Sequence, residues 1–199
     1  MIAHRRRAAL FLLPLSLALG ACGTETGTAP DRAELEQRAK AIGSAPELIY
    51  LTEADGYTLA EQSVGVYGGD GFSAAYFSRE RGATFMLTVD RGAAGCDQPA
   101  AQDAGEGTCE ADGELFYRTG PSEHGYERGA DGHVIRVSSA PDGTDRETLR
   151  KAAEAAHRAD DSELDGVLPP LSDAPAPIER GDIPEHGDAA PQDPPGVGG

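Results

Sequence analysis

Phe85, Leu87 and Val89 alternate with Thr84, Met86 and Thr88. A period of two with one apolar flank predicts a half-buried β-strand over residues 84–90. Tyr57 to Tyr67 and Phe72 to Arg79 read as two strands before it, behind a short buried segment, Leu48-Ile49-Tyr50-Leu51. Gly68-Gly69-Asp70-Gly71 and Glu80-Arg81-Gly82 separate these runs, and such short turns imply antiparallel hairpins. Further on, Glu114 to Thr119 is a fourth strand. Tyr126–Arg128 and His133–Ser139 form a hairpin around the turn-rich Gly129-Ala130-Asp131-Gly132. Between these regions, Arg91 to Gly113 is dominated by Gly, Ala and acids and is expected to be a long surface loop.

The period changes at both ends. Asp31 can cap a helix, with Glu34 three residues on as in a capping box. Leu35, Ala39 and Ile42 follow as a narrow stripe, and Gly43 and Pro46 stop it. A second helix is expected from about Asp145 to Ala159, opened by the Thr144-x-x-Glu147 pattern. Its apolar side is Leu149, Ala152, Ala153 and Ala156, thin enough to lie close on a sheet. Val167-Leu168 should end the folded part.

These elements predict an α+β fold in a single small domain over residues 31–168. Its expected centre is a twisted antiparallel sheet of about five to six strands, with the C-terminal helix packed on one face and a short N-terminal helix. Residues 169–199 hold eight of the fourteen prolines and six acids. They bury too little to offset ordering entropy and are expected to be a disordered tail.

Ahead of the domain, Arg5, Arg6 and Arg7 precede an apolar run from Ala8 to Ala18, interrupted by Pro14 and Ser16. A run of about eleven residues is too short to span a bilayer and fits an export signal. Leu19-Gly20-Ala21-Cys22 closes it, and this stretch resembles a bacterial lipobox. The resemblance implies that residues 1–21 are a signal peptide and that Cys22 is lipidated as residue one of the mature chain. Two or more acyl chains hold a protein stably on a membrane. With Arg far outnumbering Lys and Ala and Gly abundant, the chain resembles small surface lipoproteins of high-GC Gram-positive bacteria. The expected address is the outer face of the cytoplasmic membrane, with residues 22–30 as a flexible tether.

The net charge of −17 becomes about −20 once the three signal-peptide arginines are gone. Such a surface repels nucleic acid, which is excluded as a partner. With Cys22 assigned to lipid, Cys96 and Cys109 remain as an even pair in an oxidising compartment and are expected to form a disulfide.

Catalytic signatures are missing. The chain contains no Gly-x-Ser-x-Gly, no Ser-x-x-Lys and no His-Glu-x-x-His. His124, Asp131 and His133 border the last hairpin, where polar residues are ordinary, and no metal or other cofactor is expected. His157 is placed on the exposed side of the second helix. One pattern suggests a ligand surface. By alternation Phe77 shares a face with Arg79, and Phe116 with Arg118, while Arg136 points opposite Ile135 and Val137. These five could line a helix-free face suited to an anionic ligand. The reading is a non-catalytic, membrane-anchored binding or scaffold module whose partner is an envelope protein or an anionic ligand. The alternatives are an envelope sensor or regulatory accessory domain, and a small envelope enzyme with an unrecognised site.

Overall fold

The computed structural model of the chain describes residues 30–99 and 107–171. The signal segment, Cys22, the tether up to Ala29 and the tail from Ser172 onward lie outside the described residues. Asp31 accepts the Glu34 N–H at 2.8 Å and caps α1 (Arg32–Ala41). Glu34 does not reach back to complete a capping box; its carboxylate holds Arg38 instead. Leu35 and Ala39 are buried, and Gly43, at φ +87°, takes the left-handed conformation that ends such a helix.

β1 (Tyr50–Leu51) is followed by β2 (Thr58–Leu59). The strand expected over Tyr57–Tyr67 is only this short piece. After Leu59 the polar run Glu61–Ser63 coils into a turn of 3-10 helix, and Gly65 makes only a single bridge to Ser73. An apolar–polar alternation is absent there, so nothing holds the chain extended. β3 (Phe72–Ser78) and β4 (Ala83–Arg91) form the expected hairpin, with Phe85, Leu87 and Val89 fully buried.

The segment read as a long loop contains β5 (Thr108–Asp112), which pairs antiparallel with β6 (Leu115–Thr119). Thr-Cys-Glu-Ala-Asp has no apolar alternation because β5 is an exposed edge strand, and its partner and the Gly113 turn, at φ +70°, define it. β7 (His124–Ala130) and β8 (His133–Ser139) turn through Asp131 and Gly132, at φ +47° and +84°, as a tight type I′-like hairpin requires.

The second helix is α2 (Arg146–Ala155). Its cap is Asp145, which accepts the Thr148 N–H at 2.9 Å; Thr144 is buried and bonds the Tyr57 hydroxyl instead. The helix stops four residues before Ala159. The Arg128 guanidinium, reaching from β7, donates to the carbonyls of Ala153 and Ala156, a cation at the negative end of the helix. His157 therefore leaves the helix and belongs to β9 (His157–Arg158), which pairs with β1. A third helix, α3 (Asp161–Val167), follows; Asp160 and Glu163 form a complete capping box at its start. Leu168, the last buried side chain among the described residues, closes the core.

The fold is α+β. Seven antiparallel strands run in the order β2-β3-β4-β8-β7-β6-β5, beside the two-stranded β1–β9 ribbon. α2 packs on β7 and β8. The main sheet is thus wider than the composition suggested, because β5 and β2 carry little apolar signal. One face of the sheet buries Phe72, Tyr76, Phe85, Leu87, Ile135 and Val137 against Leu149, Ala152 and Ala153.

Candidate functional site

Of the five residues expected to line a ligand surface, Phe77, Phe116, Arg118 and Arg136 leave their strands away from α2 and Arg79 lies in the turn just after β3; they form two groups. Pairing aligns Phe116, Glu127, Arg136 and Thr88 in one row, and Arg118, Gly125, Ser138 and Met86 in the next. Arg118 and Arg136 converge on Glu127: Nε of Arg118 lies 2.9 Å from Oε2, and Nη2 of Arg136 lies 2.8 Å from Oε1. The Glu127 side chain is 3% exposed and the two arginines 16% and 14%. Arg118 also donates to the carbonyls of Gly95 and Gln98, at 2.5 and 2.9 Å, which brings the segment after β4 across this part of the sheet. The charge of these two arginines is already committed.

Phe77 and Arg79 stand apart, at the end of β3. The Arg79 guanidinium lies 5.8 Å from the Phe77 ring centroid, and among the described residues it has no carboxylate partner. Cys96 and Cys109 are joined, with Cα atoms 5.5 Å apart. Cys109 sits opposite Arg118 in register, so the disulfide and the guanidinium hold the same segment from two directions.

On the helix side a second polar network ties α2 to the sheet edge. Arg146 lies 3.9 Å from the Tyr117 ring centroid and donates to the Tyr126 hydroxyl at 2.9 Å. Tyr126 in turn donates to Asp112 at 2.7 Å. That hydrogen bond, with Arg150 and Arg146 nearby, holds the Asp112 carboxyl below its ordinary range; desolvation of the phenol raises Tyr126.

Sequence reasoning missed a groove of about 770 Å³ between the segment joining β1 to β2, the end of α2, and α3. Leu51, Ala54, Tyr57, Leu59 and Ala155 give it apolar walls, and Tyr76 lies at its base. Tyr76 stacks on Phe85 with ring centroids 5.0 Å apart, and its hydroxyl accepts the Thr52 N–H at 3.1 Å. At the rim, His157 Nδ1 is 3.0 Å from the Ala155 carbonyl and Nε2 is 2.8 Å from Glu163. A carbonyl and a carboxylate only accept, so both ring nitrogens donate and the imidazolium is the form that fits. The hydrogen bond to Glu163, then that to Ala155, raises the His157 pKa above 6.5. Lys151, also at the rim, is held by Glu147 at 2.8 Å. The signal that could have located this groove was the Asp160-x-x-Glu163 cap, which announces a third helix and so ends α2 before His157.

His124 and His133 do not meet. Each pairs with a tyrosine at 2.8 Å, Tyr117 and Tyr50 respectively. Among the described residues no group of three or more His, Cys, Asp or Glu side chains is placed to hold a metal ion, and no helix is long and apolar enough to cross a membrane. Compared with known proteins, the chain matches no family model, no curated protein and no solved structure.

Proposed function

We propose that this protein is a lipid-anchored, extracytoplasmic binding or scaffold module of the cell envelope, without catalytic activity of its own. The observation that carries the reading is Leu19-Gly20-Ala21-Cys22 closing a short apolar run behind three arginines. The Cys96–Cys109 disulfide supports it, since such bonds persist in oxidising compartments outside the cytoplasm. Binding suits the groove better than chemistry does: Thr52 Oγ1 donates to the Ala152 carbonyl at 2.5 Å, and His157 and Lys151 are engaged by carboxylates. Its partners are the membrane, through the lipid on Cys22, and an envelope protein or anionic group. For the latter, the Phe77–Arg79 pair is the part of the expected surface whose cation is uncommitted.

Mass spectrometry of the N-terminal peptide, with membrane fractionation of expressing cells, tests the anchor. The expected mature chain begins at an acylated Cys22 and sediments with membranes, and Cys22→Ser releases it. An intact Met1, or membrane retention of the serine variant, overturns the proposal.

A further inference from the structure

We propose that the groove bounded by α2, α3 and the segment between β1 and β2 binds a compact, peptide-like amine: an ammonium group next to an amide carbonyl, with an apolar side chain. This deepens the binding-module reading and rests on it.

Three observations select that chemistry. The walls are apolar and partly aromatic, with Tyr57 and Tyr76 both packed on Phe85 at ring-centroid distances of 5.0 Å. A rigid aromatic base of this kind receives an apolar body. Next, the rim charges are unequal. Lys151 and His157 are each neutralised, by Glu147 and Glu163 at 2.8 Å. Glu53 and Asp55, on the same rim, make no hydrogen bond or short ion pair among the described residues and act on His157 and Lys151 only from a distance, so with Glu163 the carboxylates lining the mouth outnumber its two cations. An ammonium ion meets that excess and a carboxylate ligand does not. Finally, Tyr76 is 4% exposed, and its hydroxyl accepts from Thr52. Its own proton has no acceptor among the described residues. Because Tyr76 lines the groove, a ligand carbonyl at its base can accept that proton in place of water.

The test is a titration of the full chain, followed by backbone amide NMR, with phenylalaninamide as probe and N-acetylphenylalaninamide as its uncharged match. The amine is expected to shift signals from residues 51–59 and 151–163 with a Kd of about 1 mM, reasonable for so small a ligand. The acetylated compound should bind about tenfold more weakly. Glu53→Gln combined with Asp55→Asn should weaken amine binding about three- to tenfold, the range that two exposed ion pairs supply, with the thermal midpoint unchanged because both side chains are solvent-facing. Tyr76→Phe should weaken it as well, while leaving the preference over the acetylated compound in place. No response to the amine at tens of millimolar, an equal response to both compounds, or an unaltered affinity in the double variant overturns the proposal. Failure here with an acylated Cys22 sinks the groove alone, and binding here with an intact Met1 sinks the anchor alone.

Discussion

The two faces of the seven-stranded sheet are built from the same strands and held by different forces. The face under α2 is closed by oil: Leu149, Ala152 and Ala153 press on Ile135, Val137 and Tyr126, all 1% exposed or less. On the opposite face, β6, β7 and β8 carry Arg118, Glu127 and Arg136, and the covering segment is attached by guanidinium–carbonyl bonds and a disulfide. Apolar contact tolerates small shifts in geometry and does not depend on redox state or charge. The other face depends on both. Alternation along a strand thus tells which residues share a face, but what closes each face comes from elsewhere in the chain.

The largest test of that contrast is Glu127. Glu127→Gln leaves two mostly buried guanidinium groups facing each other without their shared anion, and should destabilise the domain by about 3 kcal/mol in urea unfolding. Replacing all three residues by apolar side chains of similar volume should be close to neutral, because the cost of desolvating the triad disappears with the charges. If Glu127→Gln cost no more than an exposed salt bridge, the charged face would be decoration, and the two faces would not differ in kind.

The disulfide comes next. Reduction, or Cys96→Ser with Cys109→Ser, frees a segment spanning a sequence separation of 13 and should cost about 3 kcal/mol in the chain-entropy model. The contrast sharpens if hydrogen exchange accelerates in β5, β6 and residues 92–99 while the amides of α2 and β4 keep their protection. Uniform loss of protection over both faces would mean that the sheet responds as one unit.

What was legible in the sequence follows the same division. The strict alternation through Phe85, Leu87 and Val89, and the turn at Asp131-Gly132, identified the strands whose pattern is enforced by the apolar core. β5 was hidden because both sides of an edge strand meet water or polar groups, so Thr108–Asp112 carries no period to read. The only local signal for the end of α2 is the Asp160-x-x-Glu163 cap of the next helix; the cation that satisfies its last carbonyls is Arg128, on a strand remote in sequence from the helix terminus. The arginine face was legible as a shared direction for Phe116, Arg118 and Arg136. Their convergence on Glu127 was not, because that depends on a cross-strand register that alternation alone leaves open. The groove needed the turn from α2 into β9 and the third helix; β9 falls inside the span expected to be helical up to Ala159, and no element is expected over residues 160–167.

The smallest expected effect lies at the groove, where a single histidine joins three elements. His157 is on β9, and it contacts the Ala155 carbonyl at the end of α2 and Glu163 in the first turn of α3; Glu53, before β2, adds a further negative charge. These acceptors raise its pKa above the ordinary 6.5. A raised folded-state value means the native state binds the proton more tightly than the unfolded chain does. The stabilisation is therefore fully present below pH 6.5 and is lost as pH rises through the folded-state value. Because the ring is nearly half exposed, solvent screening keeps the effect small. Thermal midpoints measured from pH 5.5 upward should show a shallow decline beginning above pH 6.5. That decline should be absent in His157→Gln and reduced in Glu163→Gln, while Glu127→Gln, on the other face, should retain it. A decline that survived His157→Gln would place the titrating group elsewhere and would remove the histidine as the link between α2, α3 and the ribbon.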